Sequence, residues 1–258
     1  MLASGLHKQS APTLMIDIGT NSEVIVGNKD HIVATSCAAG PAFEGTHIKH
    51  GIKAISGAIE RIHLNPTSLK FTFTTIDQKA PIGICGSGVV DAIAELVKAK
   101  LLSPKGRFTK QARPLVKTEG KEKYIVLFEG LSKHGKNTIT LSEQDISQLL
   151  LAKAAIKTGY TLLLQHQHLS PQDLDHLYIA GAFGTYLNLA SAQQIGLIPR
   201  LPLERISFIG NAALSGAQFA LLSVPQRRQA SEIALKTEFI DLARHPEFSQ
   251  TYVDSLFL

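Results

Sequence analysis

The fold is decided by the stretch Leu14-Met15-Ile16-Asp17-Ile18-Gly19-Thr20-Asn21-Ser22-Glu23-Val24-Ile25-Val26-Gly27-Asn28. Its apolar run stops at Asp17 and resumes at Val24, which predicts two paired strands joined by a polar hairpin turn. Gly19 lets the backbone approach a ligand that a Cβ would exclude. Thr20, Asn21 and the backbone N–H groups of the turn are then donors for a phosphate, and Asp17 can hold a hydrated Mg²⁺. An ordinary Asp-x-Gly turn is the alternative.

Composition indicates a globular chain without a membrane or nucleic-acid partner. The 258 residues are 44% hydrophobic and 18% charged, enough for one large or two small cores. No apolar run approaches the roughly 20 residues that span a bilayer, and the first residues lack the regions of a signal peptide, so we expect a cytoplasmic protein. The net charge of +5 is spread along the chain. Nucleic-acid recognition would favour a continuous basic stripe instead.

The cysteine content excludes several kinds of site. Cys37 and Cys85 are the two cysteines of the chain, and neither belongs to a Cys-x-x-Cys spacing. The sequence therefore indicates neither a disulfide framework nor a zinc site. An iron–sulfur cluster normally takes four protein ligands, so we expect no such cluster in this chain.

Three further segments are predicted to run from a strand through glycines into a helix. They are Gly83-Ile84-Cys85-Gly86-Ser87-Gly88, Ile179-Ala180-Gly181-Ala182-Phe183-Gly184 and Phe208-Ile209-Gly210-Asn211-Ala212-Ala213. In an α/β chain such junctions place their loops at the carboxyl edge of a sheet, where ligands bind. A glycine loop that opens a helix also presents N–H groups to an anion. For Gly86, Ser87 and Gly88, a tight turn that only lets the helix pack is an equal alternative.

The second half of the chain is predicted to begin and to end with a helix. Ser142-x-x-Asp145 is an acidic variant of the capping box and predicts the start of a long buried helix. Near the end, apolar spacing predicts a helix over about Ser231 to Ala243, and Pro246 then forces a break before a second short helix. The apolar and aromatic residues of this tail are expected to pack on the domain body or on a missing lobe.

Taken together, these strings resemble one known family. Asp17-Ile18-Gly19-Thr20-Asn21, the loop from Ala38 to Gly45, the three glycine junctions, and the ending His245-Pro246-Glu247-Phe248 through Leu258 resemble the C-terminal domain of the reductive activators of corrinoid enzymes. The resemblance runs from about Leu14 to Leu258 and implies membership of the actin-like ATPase superfamily, with sugar kinases and heat-shock chaperones.

The resemblance also implies a fold and a domain organisation. It implies an α/β fold: a ribonuclease-H-like lobe with inserted strands and helices. The whole chain, residues 1–258, would form a single domain. Its core would cover about residues 12–45 and 142–224, its insertion about 46–141, and its helical tail about 230–258.

Nucleotide-binding positions follow from the same resemblance. Its phosphate hairpin would consist of Asp17, Gly19, Thr20 and Asn21, with Asp17 holding Mg²⁺ through water. Its adenosine turn would consist of Gly181, Ala182, Phe183 and Gly184. Gly210 and Asn211 would form part of the neighbouring nucleotide wall, and Gly40 and Glu44 the loop beneath it. The candidates Gly86, Ser87 and Gly88 come from their glycine loop alone, and no catalytic residue is identified.

The resemblance implies a function that depends on ATP and Mg²⁺. The chain would be the ATP-binding domain of a reductive activator, coupling ATP binding and hydrolysis to reduction of Co(II) to Co(I) in a corrinoid methyltransferase system. Its partners would be the corrinoid protein and an iron–sulfur and first-lobe segment, in cis or in trans. The resemblance implies a second phosphate hairpin on the opposite lobe, which this chain does not contain, so strong ATP hydrolysis by it alone is not expected. A non-catalytic interaction module and a small-molecule kinase lobe are the alternatives, and a homodimer is left open.

Overall fold

A computed structural model of the chain describes residues 1–132, 135–181, 183 and 186–258. Its contacts divide the chain into two compact units. Unit 1 comprises Met1–Ala39, Ala155–Thr185 and Pro199–Asp254, and unit 2 comprises Gly40–Ala154, Tyr186–Ile198 and Ser255–Leu258. Residues 46–141, the predicted insertion, lie inside unit 2. The single domain with its core, insertion and tail stays a prediction.

The described residues form strands and α-helices, with six strands before the first α-helix. The strands are β1 Thr13–Asp17, β2 Ser22–Gly27, β3 Ile32–Cys37, β4 Ala58–Leu64, β5 Phe71–Thr75, β6 Gly83–Ile84, β7 Val116–Glu119, β8 Glu122–Ser132, β9 Gly135–Ser142, β10 His176–Ala180, β11 Ile206–Gly210 and β12 Thr237–Phe239. The α-helices are α1 Gly86–Lys98, α2 Glu143–His166, α3 Leu189–Gln194, α4 Ala212–Leu222, α5 Val224–Lys236 and α6 Phe248–Ser255.

The described strands of unit 1 form one sheet, in the order β11-β10-β1-β2-β3-β12. In this unit 1 sheet β1 runs parallel to β10 and antiparallel to β2, and β10 runs parallel to β11. Leu14, Ile16 and Ile179 of the central strands are fully buried. Central strands covered on both faces read as nearly continuous apolar runs, which is why the sequence shows them clearly. The predicted opening hairpin is confirmed.

Unit 2 contains two smaller sheets, β5-β4-β6 and β7-β8-β9, in the part of the chain that the structure describes. Helix α1 packs on β4 through a buried stripe that includes Val89, Ile93 and Leu96. The junction that leads into α1 follows β6, and β6 lies in a different sheet from β10 and β11. The expectation that all three glycine junctions meet at one sheet edge is therefore wrong for the first of them.

Helix α2 begins at the predicted capping box. The Ser142 hydroxyl donates to Asp145 Oδ2 at 2.8 Å, and the backbone N–H of Asp145 donates to Ser142 Oγ at 3.1 Å. The backbone N–H of Lys49 donates to Asp145 Oδ1 at 2.7 Å, which ties the loop before β4 to the start of the helix. Ser142 and Asp145 are buried, so the cap satisfies groups that water cannot reach.

The predicted tail helix of about residues 231–243 is wrong in its position. Helix α5 ends at Lys236, and the next residues form β12, which pairs in parallel with β3. Backbone pairing with an edge strand replaces the helix there, a tertiary interaction that local propensity does not reveal. The side chains of Leu235 and Phe239 are 88% and 66% exposed, so they do not pack as expected, whereas Ile233 and Leu242 are buried. The break at Pro246 before a second short helix, α6, is confirmed.

Among the described helices, none has the length and apolar content that crossing a membrane requires.

The C-terminal segment of unit 2 covers a buried lysine. Lys153 of α2 is fully buried, and its Nζ donates to the backbone oxygens of Ser255 at 2.6 Å and Phe257 at 2.7 Å. The backbone N–H of Leu258 donates to the oxygen of Pro104 at 3.0 Å, which anchors the end of this segment. A buried ammonium is tolerated only when such acceptors satisfy it.

We expect removal of residues 255–258 to lower the free energy of unfolding by about 3 kcal/mol, because the truncation takes two acceptors away from a buried charge. The same truncation in a Lys153→Met background should cost much less, since no ammonium is then left behind. Urea unfolding of the wild type, the truncated protein, Lys153→Met and the truncated Lys153→Met protein measures the coupling energy between Lys153 and the segment. Equal losses in the two backgrounds would show that the segment stabilises unit 2 by packing rather than through Lys153.

Candidate functional site

The candidate site of unit 1 is built on the turn between β1 and β2. Asp17 is the last residue of β1, and Thr20 and Asn21 lie exposed in the turn. The hydroxyl of Ser22, at the start of β2, accepts the Gly19 N–H at 3.3 Å and donates to the Gly19 oxygen at 3.1 Å. The Gly19 N–H is therefore used inside the hairpin, which corrects the expectation that the backbone N–H groups of the turn are jointly available to a ligand.

The carboxyl ends of β1, β10 and β11 meet at one edge of the unit 1 sheet. Asp17 lies opposite Ala180 in the parallel pair, and Ala180 in turn lies opposite Gly210. The backbone N–H of Ile18 donates to the Ala180 oxygen at 3.1 Å, and that of Gly181 donates to the Gly210 oxygen at 2.9 Å. The hairpin and the second and third glycine junctions are thus brought together, as predicted.

Gly181 occupies a position that a side chain cannot share. Its φ is +92°, and a Cβ placed on it would lie 2.4 Å from the Ile18 oxygen and 3.0 Å from Asp17 Oδ1. Both the backbone conformation and the space therefore require glycine. The Asp17 carboxylate stands directly against the start of the turn that follows β10.

The junction after β11 is more open. Gly210 has φ +60°, and a Cβ placed on it would meet nothing within 4 Å. Asn211 is exposed and caps α4, because its side-chain oxygen accepts the Leu214 N–H at 2.9 Å. This edge of the sheet thus combines an open glycine, a helix N-terminus and a carboxylate, and a nucleotide with its metal ion uses such groups.

Burial raises the pKa of Asp17 above its ordinary value, and the N-terminal ammonium of Met1 opposes that shift. Glu23, which lies opposite Asp17 in the β1–β2 pair, also has a raised pKa, first through burial and then through the charge of Asp17. Two neighbouring carboxylates that are both disfavoured in the charged form would be stabilised by a cation. Across the described residues, no group of three or more His, Cys, Asp or Glu side chains has the arrangement of a metal site.

Other predicted positions lie in unit 2. Gly40 follows β3 with φ +75° and begins the 3-10 turn Pro41–Glu44, and Glu44 is exposed. Gly86, Ser87 and Gly88 form the first turn of α1 and are buried. A Cβ on Gly88 would lie 2.3 Å from the Ile59 oxygen, so packing against β4 accounts for this glycine. The role of these five residues in nucleotide binding stays a prediction.

The predicted adenosine turn is described in part. The structure describes Gly181 and the partly buried Phe183, whereas Ala182 and Gly184 lie outside the described residues.

Sequence reasoning missed Ser22. It is fully buried, and its hydroxyl holds both polar backbone groups of Gly19. The available signal was a short hydroxyl residue placed between the turn and the apolar run that starts at Val24. A buried hydroxyl in a strand needs a partner, and the nearest one is the turn itself.

Nearly the whole chain matches a known protein family. Residues 11–258 match the family described as the C-terminal domain of RACo, the ASKHA domain. The chain belongs to this family. The chain is accordingly an ASKHA, or actin-like ATPase, domain with a mixed α/β fold, as predicted from the sequence.

Two proteins and one solved structure are similar to nearly the whole of this chain. The corrinoid activation enzyme RamQ of Eubacterium limosum is 38% identical over 258 residues, covering 96% of this chain and 43% of that protein. The [Co(II) methylated amine-specific corrinoid protein] reductase of Methanosarcina barkeri is 26% identical over 280 residues, covering 99% of this chain and 48% of that protein. A solved structure of a reductive activator for corrinoid, iron-sulfur protein has a TM-score of 0.89 and 37% identity, covering 100% of this chain and 41% of that one. The chain thus spans less than half the length of these proteins.

We expect Gly181→Ala to destabilise unit 1 by about 2 kcal/mol or more, because the added Cβ meets backbone oxygen at a positive φ. Gly210→Ala is the matched control: its φ is also positive, but its Cβ enters open space, so about 1 kcal/mol is expected. Urea unfolding compares the two variants. Equal losses would contradict the tight fit of Gly181 against Ile18.

Asp17→Asn is expected to stabilise the protein near neutral pH. Because the fold raises the pKa of Asp17, the cost of ionising it is absent below the unfolded value of 3.8 and complete above the folded pKa. The stability difference between variant and wild type should therefore grow as pH rises from 3.8. The exposed Asp30, in the turn between β2 and β3, supplies the control Asp30→Asn. A difference for Asp17→Asn that does not change with pH would contradict the burial penalty.

Proposed function

We propose that the chain binds Mg²⁺-ATP at the carboxyl edge of the unit 1 sheet. The observation that carries the proposal is the meeting of Asp17, Gly181 and Gly210 at the ends of three adjacent strands, in a chain of the ASKHA family. Asp17 would orient the hydrated metal, and Thr20 and Asn21 would donate to phosphate. The turn that begins at Gly181 would admit the adenosine, and Gly210 and Asn211 would line its neighbouring wall.

We further infer that the domain belongs to a reductive activator of corrinoid proteins. Two proteins of this kind cover nearly the whole chain, and their names assign them to corrinoid activation and to reduction of a Co(II) corrinoid protein. The partner would be a corrinoid protein of a methyltransferase system, and ATP binding and hydrolysis would be coupled to the reduction of Co(II) to Co(I). ATP can drive such a change only to the extent that it binds one arrangement of the activator more tightly than another.

The electron would come from another polypeptide segment, in cis or in trans. Both cysteines of this chain are buried, and burial together with the charge of Glu23 raises the pKa of Cys37 to about 12. Two cysteines without a Cys-x-x-Cys spacing do not make up the four protein ligands that an iron–sulfur cluster normally takes. An iron–sulfur segment and a first ATPase lobe outside this sequence would supply the electron and the rest of the phosphate site.

A non-catalytic interaction module is the second candidate. Helix α4 favours it, because the side chains of Leu221 and Leu222 at its end are 73% and 82% exposed, and Leu214 is 54% exposed. An apolar helix end of this kind is typical of a surface that contacts a protein. The names of the relatives give no support to a small-molecule kinase.

Calorimetry with the purified chain tests the nucleotide proposal. We expect weak binding of Mg²⁺-ATP, with a dissociation constant on the order of 1 mM, since more than half of the relatives' length is outside this chain. Asp17→Asn should abolish the dependence on Mg²⁺ and leave residual nucleotide binding, whereas Asp30→Asn should bind as the wild type does. If the wild-type chain shows no binding at millimolar ATP, the interaction module becomes the better proposal.

A further inference from the structure

Ser22 is the buried residue that ties the β1–β2 turn to the sheet. It begins β2 and is fully buried, next to the apolar residues Val24, Ile25 and Val26 of the same strand. Its hydroxyl contacts Gly19 twice: it accepts the N–H at 3.3 Å and donates to the oxygen at 3.1 Å. One short side chain therefore fixes the peptide groups on both sides of Gly19.

The contacts of Ser22 decide what the turn can present to a ligand. Since the Gly19 N–H is directed at Ser22, the exposed part of the turn consists of Thr20 and Asn21. The turn is also tight at this point, because a Cβ on Gly19 would lie 3.1 Å from the Asn21 oxygen. A hairpin held at Gly19 loses less conformational entropy when a ligand binds, and that raises affinity.

We propose that Ser22 is a positioning residue of the phosphate hairpin. Its hydroxyl holds Gly19 and thereby keeps Thr20 and Asn21 in the orientation that meets a nucleotide phosphate, and it removes the Gly19 N–H from the set of phosphate donors. Ser22 itself does not touch the ligand. The inference rests on the proposed nucleotide binding, which it deepens by naming the residue that pre-organises the turn.

A purely structural serine would behave differently from a positioning one. Ser22 lies opposite the buried Cys37 in the β2–β3 pair. If its hydroxyl only satisfied local hydrogen bonds, its removal would lower stability without changing ligand affinity in the fraction of protein that is folded. If it positions the turn, affinity falls in the folded protein and the backbone N–H of Gly19 exchanges faster.

The experiment compares Ser22→Ala, Ser22→Thr and the control Ser36→Ala. Ser36 is an exposed hydroxyl on β3, opposite Glu23 in the β2–β3 pair, and it does not contact Gly19 in the described hydrogen bonds. Amide exchange at Gly19 is followed by nuclear magnetic resonance, Mg²⁺-ATP affinity by calorimetry, and stability by urea unfolding, all on the full chain.

We expect Ser22→Ala to speed the exchange of the Gly19 N–H and to weaken Mg²⁺-ATP binding about tenfold, as the loss of its hydrogen bonds predicts. Ser22→Thr, which keeps the hydroxyl, should restore both, and Ser36→Ala should change neither. Unchanged exchange at Gly19 in Ser22→Ala would overturn the proposal, as would unchanged affinity despite faster exchange. Wild-type protein that binds no Mg²⁺-ATP would instead refute the proposed function, while the exchange measurement would still decide whether Ser22 holds the turn.

Discussion

The parallel pairing of β1 with β10 is the interaction on which the candidate site depends. It places Asp17 opposite Ala180, although the two residues come from distant parts of the chain. The hydrogen bond from the Ile18 N–H to the Ala180 oxygen extends the pairing beyond the last residue of β1. Because of that extra contact, the backbone of Gly181 passes too close to Ile18 for any side chain to fit. The carboxylate, the hairpin and the following turn are held together by backbone geometry.

At the carboxyl edge of the unit 1 sheet, the charged forms of two carboxylates, Asp17 and Glu23, are disfavoured in the protein without a ligand. Burial raises the pKa of Asp17, and the charge of Asp17 contributes to the raised pKa of Glu23 across the β1–β2 pair. The N-terminal ammonium of Met1 opposes the shift at Asp17, and a hydrogen bond from Ser36 opposes the shift at Glu23. A cation bound at Asp17 would lower the cost further, since a metal ion favours the charged form of a carboxylate. The proposed Mg²⁺-ATP would supply such a cation.

In each of the two units, a buried polar side chain is satisfied by hydrogen bonds to the backbone of a nearby segment. In unit 1, the Ser22 hydroxyl satisfies both backbone groups of Gly19 and is itself removed from water. In unit 2, the Lys153 ammonium donates to two backbone oxygens of the C-terminal segment. In each case a fully buried polar side chain makes two hydrogen bonds to the backbone of one segment, which satisfies the side chain and holds the segment.

The sequence alone determined the elements whose signals are local. Alternation and continuous apolar runs predicted β1, β2 and β10, the capping box predicted the start of α2, and Pro246 predicted the break before α6, because each signal lies within a few residues of the element that it specifies. The strings around Asp17, Gly181 and Gly210 also carried the resemblance to the RACo C-terminal family.

Only the tertiary structure decided the features that depend on a distant partner. Residues 237–239 form β12 rather than a helix because the edge of β3 offers them backbone hydrogen bonds. Gly88 is required by the Ile59 oxygen, and the first glycine junction lies in a different sheet from the other two. The role of Ser22 depends on the two hydrogen bonds between its hydroxyl and Gly19, which only the folded chain shows. In each of these cases the deciding contact comes from chain geometry that a linear pattern does not contain, whereas local propensity and turn chemistry act within the segment itself.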